Sequence, residues 1–292
     1  MSKILIIGHS VLDKIYYKNC LIEKPGGIFH SVNVLANLTN NDDIFLLTHI
    51  SQNSYKYFAT IYDKINLNYS ERINEIPTVT LNLFDDKERD EKYSISTKKI
   101  LLSKKIDFSQ FDIILINMIS GFELSHKDLS KIKEKSNCEI YFDIHTLSRG
   151  FDENGNRVFT KIPEIEKWLT NIDILQMNEN EMFTLWNEKS EEKNIKNLLD
   201  FGIEKVIITK GKRGVTLYHK GVEKYFPPIK VNSNSFVGCG DSFGAAFCYN
   251  YSKNKNIFSA VDFANLVAGI ITSYNKQKDF ENLNYDIAKR KK

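Results

Sequence analysis

Cysteine is scarce in this sequence and poorly placed for bridges. The 292 residues hold four, Cys20, Cys138, Cys239 and Cys248, far apart and without a C-x-x-C pair. That spacing excludes a disulfide framework and a cysteine-based zinc site, and it fits reduced thiols in a cytoplasmic setting. An excess of one charge sign is missing too. Forty Lys and Arg face 37 Asp and Glu, for a formal net charge of +3. The lysines are spread along the chain, which argues against nucleic acid as a partner. The basic end, Lys289-Arg290-Lys291-Lys292, is expected to be a frayed, solvated tail. No apolar run approaches the roughly 18 residues of a membrane span, so no membrane partner is expected. Met1-Ser2-Lys3-Ile4 leads straight into a strand pattern, without the apolar segment and cleavage site of a targeting signal.

Several chemical signatures are absent as well. There is no G-x-x-x-x-G-K-S/T, which excludes a P-loop enzyme. The nearest approach to a dinucleotide fingerprint, Gly238-x-Gly240-x-x-x-Gly244, has the wrong spacing and comes near the end of the chain. No G-x-S-x-G elbow occurs, and the six histidines show no H-E-x-x-H or other metal spacing.

What is present is a regular alternation. Hydrophobic residues make up 42% of the chain and charged ones 26%, enough apolar side chains for one large core. Lys3-Ile4-Leu5-Ile6-Ile7-Gly8 reads as a buried parallel strand. A helix is expected over 30–38, a strand over 44–48 and a helix over 55–65. Thr78 to Phe84 and Lys92 to Ser96 flank a charged turn, Asp85 to Asp90, and read as a hairpin. Strands then alternate with helices: strands over 112–117, 139–144, 172–176 and 205–209, helices over 127–135, 163–169, 179–186 and 192–201. A hairpin over 215–219 and 223–226 precedes a helix opened by the glycine stretch, and a long helix over 257–274 closes the pattern. This predicts an α/β fold with a mostly parallel sheet covered on both faces.

One stretch organises the chemistry: Ser235-Phe236-Val237-Gly238-Cys239-Gly240-Asp241-Ser242-Phe243-Gly244-Ala245-Ala246-Phe247. Gly238 and Gly240 allow successive backbone N–H groups to turn toward one point. The helix that follows aims its own unpaired N–H groups there, which makes an anion site. Asp241, at the mouth, is either a helix cap or a base beside a phosphate. Likewise Asn178 and Glu181 fit a capping box or a pair of oxygen groups near a cation. Cys239, beside a helix N-terminus, is expected to have a lowered pKa.

This run resembles the C-terminal signature of the ribokinase/PfkB carbohydrate kinases, in which a Gly-Ala-Gly-Asp segment forms an anion hole and its Asp is the base. Other pieces resemble the family in the same order. Pro25-Gly26-Gly27 before a helix, which is also a plain turn signal, resembles the pair at the sugar site. Asp13 sits where the family binds sugar hydroxyls. Asn178-Glu179-Asn180-Glu181 resembles the N-x-x-E motif, and Asp143 stands where an Asp lies near the phosphates. Thr209-Lys210-Gly211-Lys212-Arg213-Gly214 resembles the loop bordering the nucleotide, and the segment holding Asn265 resembles the adenine-side helix.

The resemblance implies a ribokinase-like three-layer core in a single kinase domain, with a small β-sheet lid over about 14–23 and 76–96. It implies ATP-dependent phosphorylation of a hydroxyl on a sugar or sugar-like small molecule. Asp241 would be the catalytic base, with Gly238, Cys239 and Gly240 in the anion hole. Asp13, Gly26, Gly27 and Ser31 would bind the acceptor. Asn178, Thr209, Gly211, Gly214 and Asn265 would border ATP, and Glu181 and Asp143 would organise Mg²⁺. Five positions depart from the family: Ser31 replaces a common Asn, Ser235 replaces an Asp tied to a monovalent-cation site, Phe236 and Val237 replace small polar residues, and Cys239 replaces an Ala. Monovalent-cation dependence is therefore left open. So are two other readings. One is a nucleoside kinase, with Tyr16, Tyr17 and Phe29 as stacking candidates or as lid and core aromatics. The other is a catalytically inactive sugar-binding regulator. A homodimer through the lid is a further implication.

Overall fold

Successive residues of the first strand face opposite ways, and each side has its own apolar cluster. The computed structural model describes residues 2–17, 20–39, 43–82, 90–93, 98–153, 157–232 and 237–290. In it Ile4 and Ile6 join one core cluster while Leu5 and Ile7 join the other. A strand buried on both faces has to be apolar throughout, which is why these runs do not alternate with polar residues.

In chain order the first strands are β1 (Lys3–Ile7), β2 (Ser10–Tyr17), β3 (Cys20–Gly27), β4 (Asp43–Leu47), β5 (His49–Ser51), β6 (Glu71–Ile73), β7 (Thr78–Asn82) and β8 (Asp90–Tyr93). Then come β9 (Ile113–Asn117), β10 (Glu139–Asp143), β11 (Arg149–Phe151), β12 (Arg157–Phe159), β13 (Ile174–Asn178), β14 (Lys205–Thr209), β15 (Val215–His219) and β16 (Val222–Phe226). The helices are α1 (Phe29–Leu38), α2 (Ala59–Tyr62), α3 (His126–Lys135), α4 (Ile165–Leu169), α5 (Glu179–Leu185), α6 (Glu191–Asp200), α7 (Cys239–Asn254), α8 (Ile257–Ile271) and α9 (Leu283–Arg290).

Eight strands form the central sheet in the order β16-β15-β14-β13-β10-β9-β1-β4. It is parallel except at one edge, where β15 runs antiparallel to β14 and β16 antiparallel to β15. Helices α1, α2, α7, α8 and α9 bury their apolar side chains on one face, and α3, α4, α5 and α6 on the other. This is the expected three-layer α/β architecture. A second sheet of four strands, β3-β2-β7-β8, stands apart from it and begins two residues after β1 ends, at Ser10.

Several expectations are corrected. Pro25-Gly26-Gly27 is the end of β3 and not a turn, so the small sheet reaches to Gly27. The helix expected over 55–65 is a 3₁₀ turn, Tyr55–Tyr57, followed by the four-residue α2. Aromatics dominate this segment, and Phe58 and Tyr62 pack on each other and on Phe29 instead of extending a regular helix. The last long helix stops at Ile271, and α9 follows with Leu283 and Ile287 buried four residues apart on one face. The basic end is therefore helical through Arg290, whose Nη1 donates to the Lys230 carbonyl at 3.2 Å. The β5–β6 pair and the β11–β12 hairpin were not anticipated. Residues 85–89 of the expected charged turn, together with Ser235 and Phe236, lie outside the described residues.

Candidate active site

Three neighbouring parallel strands carry polar residues in register toward their carboxyl ends. Asn117 of β9 pairs with Asp143 of β10, and Asp143 pairs with Gln176 of β13. Partners in register share a face, so the three side chains form a row at the carboxyl ends of the strands, where open α/β sheets bind ligands. All three are buried, at 1%, 3% and 2% exposure. Gln176 Nε2 donates to Asp143 Oδ2 at 2.9 Å and to the Gly240 carbonyl at 3.2 Å. Gln176 Oε1 accepts from the Tyr141 hydroxyl. Asn117 Nδ2 donates to Asp241 Oδ1 at 2.7 Å.

Helix α7 stands on this row. Its N-cap, Gly238, has φ +73°, and a Cβ there would lie 2.5 Å from the His30 ring. Both facts demand glycine. The Ser242 N–H donates to the Gly238 carbonyl at 2.9 Å. The N–H groups of the turn before it therefore have no acceptor inside the helix. Asp241 is in this first turn, 6% exposed, and its backbone carbonyl accepts from Ser31 Oγ at 2.9 Å. Ser31 is thus spent on fixing the turn that carries Asp241. Burial, then the Asp241 charge, pushes the Cys239 thiol up to about 12. The expected activation of this cysteine is corrected: desolvation outweighs the helix N-terminus.

From Cys239 and Gly240 a cavity of about 690 Å³ runs past Thr209, Gly211 and Gly214 to Asn265, Gly269 and Thr272. Four of the residues assigned from sequence to the nucleotide, Thr209, Gly211, Gly214 and Asn265, line it. Gly214 has φ +83°, and a Cβ on it would lie 2.2 Å from the Phe226 carbonyl. Asn265 Nδ2 donates to the Pro227 carbonyl at 2.8 Å, which ties α8 to the loop after β16. Asn178 does not line this cavity. It caps α5: its Oδ1 accepts from the Glu181 N–H at 3.0 Å, while Glu181 Oε2 accepts from the Asn178 N–H at 2.8 Å.

The small sheet carries the residues assigned from sequence to the acceptor. Asp13 of β2 is 8% exposed, and a Cβ on Gly26 would fall 2.3 Å from its Oδ2. The missing side chain of Gly26 is the space the carboxylate occupies. Gly27 has φ +62°, and a Cβ there would be 2.6 Å from the His9 carbonyl, so β3 can close on the end of β1 only through glycine. Phe29 belongs to the core, stacked edge-on against Phe58 at 5.8 Å, whereas Tyr16 is exposed on the small sheet. Tyr17 lies in β2, and its side chain is outside the described residues.

The site carries an excess of buried negative charge. Burial, with the charges of Glu181 and Asp241 behind it, holds Asp143 well above the usual carboxylate range. Burial also raises Glu181, while His145 and Arg149 pull the other way. Among the described residues no group of three or more His, Cys, Asp or Glu is close enough to hold an ion by itself. This donor set fits Mg²⁺, which keeps several waters and binds through one or two carboxylates together with substrate phosphates. Sequence reasoning missed Asn117 and Gln176. Their signal was modest: one polar residue at the end of an apolar strand and one inside another.

With this geometry in hand, comparison with known proteins places the chain. Residues 128–280 match the pfkB family carbohydrate kinase profile. The chain belongs to the pfkB family of carbohydrate kinases. A 2-dehydro-3-deoxygluconokinase of Haemophilus influenzae is 25% identical over 179 residues, 58% of this chain and 55% of that protein. The chain thus spans about half the length of this curated relative. Among solved structures, ribokinase from Thermotoga maritima superposes with a TM-score of 0.77 at 20% identity, covering 99% of both chains. Arabidopsis thaliana ribokinase, solved with ribose and ATP, gives 0.76 at 17% identity over 97% of this chain and 98% of that one. No described helix is long and apolar enough to cross a membrane.

Proposed function

We propose that this chain transfers the γ-phosphoryl group of ATP to a hydroxyl of a sugar or sugar-like small molecule, with Asp241 as the base. The observation that carries the reading is the place of Asp241. It lies in the first turn of α7, held by Asn117 at 2.7 Å, directly after Cys239 and Gly240, which line the 690 Å³ cavity. Phosphoryl transfer asks a protein mainly for positioning and charge stabilisation. The cavity binds the nucleoside end of the donor, with Asn265 and Thr272 at its far wall and Thr209, Gly211 and Gly214 along its side. Its size favours a nucleotide over a bare pyrophosphate. The phosphates reach the N-terminus of α7, whose N–H groups hold the charge on the transferred group. Asp13 orients the acceptor, and Asp241 takes the proton of the attacking hydroxyl. Mg²⁺ at Asp143 and Glu181 would neutralise phosphate charge. The small sheet acts as a lid that excludes water within one kinase unit. Its exposed cross-strand pair Tyr16 and Leu21 marks the face through which a second copy would dock.

The test is ADP release from Mg-ATP with pentoses, hexoses, sugar acids, sugar phosphates and nucleosides, run beside Asp241→Asn. Turnover with a sugar class, lost in the variant, supports the reading. Turnover with nucleosides alone moves the acceptor to that class. Ligand binding without any turnover makes the chain a sugar binder, and wild-type turnover in Asp241→Asn removes the base.

A further inference from the structure

The Asn117 amide has two ends, and the structure uses them very differently. Nδ2 donates to Asp241 Oδ1 at 2.7 Å. Oδ1 is buried with no hydrogen-bond partner among the described residues. An amide that can flip adopts the orientation its network rewards. Here the flipped form would set a carbonyl oxygen against a carboxylate oxygen, so the charge on Asp241 selects the orientation and leaves the carbonyl unpaired. Buried polar atoms are almost always paired, and an exception calls for a cause. The cause here is a donor aimed at Asp241.

The support beneath Asn117 is rigid. It ends β9, between β1 and β10 in the middle of the sheet. Its backbone carbonyl accepts from the Ile119 N–H at 3.0 Å. A Cβ on Gly8 would lie 2.8 Å from that same carbonyl, so the end of β1 closes directly on it. Asn117 also has Asp143 as its in-register neighbour, another carboxylate it could have served. That carboxylate is supplied by Gln176 Nε2 and by the His145 N–H at 3.2 Å, which leaves the Asn117 donor to Asp241.

From this geometry we propose that Asn117 is a positioning residue for the reaction. It clamps one carboxylate oxygen of Asp241, so that the other is presented to the acceptor hydroxyl in a single orientation. Asn117 touches neither substrate and acts through Asp241. The inference rests on Asp241 being the base. A carboxylate in a helix's first turn has two rotatable bonds, and a base misplaced by about 1 Å loses about 10²-fold in rate. The charge-assisted hydrogen bond removes that freedom.

The test uses the full chain, Mg-ATP as the donor, and ADP release as the readout, first with water as the acceptor and then with each sugar that responds. Asn117→Leu keeps the volume and removes the donor. It is expected to lower kcat about 10²-fold with the KM for ATP within twofold of wild type, and to cost nothing further when Asp241 is already Asn. A loss that adds in full to that of Asp241→Asn, or a kcat within threefold of wild type, overturns the proposal. Asn117→Asp is isosteric and covers the case in which Asn117→Leu does not fold. As pH rises, its new carboxyl loses the shared proton and repels Asp241. The kcat/KM profile of this variant should therefore fall toward alkaline pH where that of the wild type does not. A profile parallel to wild type overturns the proposal. Should Asp241→Asn itself turn over normally, the base assignment fails and this inference with it. Should Asp241→Asn be inactive while both Asn117 variants behave as wild type, only the positioning role fails.

Discussion

The two regions that the proposed function assigns to donor and acceptor are built by different means. On the donor side, glycines and amides close on backbone: Gly214 against the Phe226 carbonyl, Gln176 on the Gly240 carbonyl, Asn265 on the Pro227 carbonyl. The walls of the cavity are fixed by main-chain atoms of the central sheet and of helices packed on it. On the acceptor side, the contacts run between side chains and a separate four-stranded sheet, which packs Val11, Val79 and Leu81 into the core. Asp13 fills the space over Gly26, and Tyr57 binds Glu23 of β3 across to the segment before α2. A donor common to many enzymes can be held by backbone, which mutation alters little. An acceptor that differs between relatives is better read by side chains, which change one at a time.

Substitutions can break this comparison, and the largest effect belongs at the boundary. Asp241→Asn should lower kcat by about 10²–10⁴ while ATP still raises the melting temperature; loss of the ATP shift as well would mean that the residue holds the donor and does not act as a base. Next come two glycines. Gly238→Ala meets both the φ of +73° and the His30 ring. It should cost about 1–2 kcal/mol from backbone conformation alone and weaken turnover with every acceptor. Gly26→Ala pushes on the Asp13 carboxylate and should raise the KM of the acceptor while sparing that of ATP. If both variants shift the same constant, the two sides are not separate.

Glu181→Gln keeps the cap on α5, since an amide oxygen can still accept from the Asn178 N–H. It removes one buried charge, so half-maximal turnover should require more Mg²⁺, by about tenfold or less, with the fold intact; an unchanged Mg²⁺ titration would take Glu181 out of the cation site. The smallest effect is one of pH and lies on the acceptor side. Burial, then the neighbouring His9, holds His49 below its ordinary value of 6.5. The unfolded chain therefore binds that proton more readily than the folded one. Stability linked to His49 is complete above about 6.5 and drains away as pH falls below it. His49→Gln should flatten the fall in melting temperature between about pH 7 and 5.5, and calorimetry across that range decides it.

Much of the fold was legible because both-face burial writes long apolar runs. Lys205–Thr209 and Val215–His219 were placed to the residue, and the strands over 113–117 and 139–143 within one. What escaped has physical reasons. In α9 the buried Leu283 and Ile287 are two apolar residues among Asn, Asp, Lys and Arg, too narrow a stripe to stand out from a solvated tail. In the segment from Tyr55 to Tyr62, aromatic packing overrode a helical period. Around the candidate site, glycines and the Asp241 run stood out because few residue types satisfy such backbone. Asn117 and Gln176 did not, because their role depends on register between strands far apart in sequence. The Cys239 shift escaped for a similar reason: a helix N-terminus can be read from sequence, and desolvation cannot.

The row beneath α7 also bears on how the chain is made. Asn117 and Asp241 are 124 positions apart, and Ser31 and Asp241 are 210 apart. A ribosome releases β1, β9, β10 and β13 well before α7 emerges. Until then Asn117 lacks the carboxylate it binds, while Gln176 and Asp143 already hold each other. Helix α7 then brings Asp241 to Asn117 and the Gly240 carbonyl to Gln176. Contacts of such long range form late. On the proposed function, a nascent chain therefore carries no phosphoryl-transfer machinery until the last layer of the fold has closed.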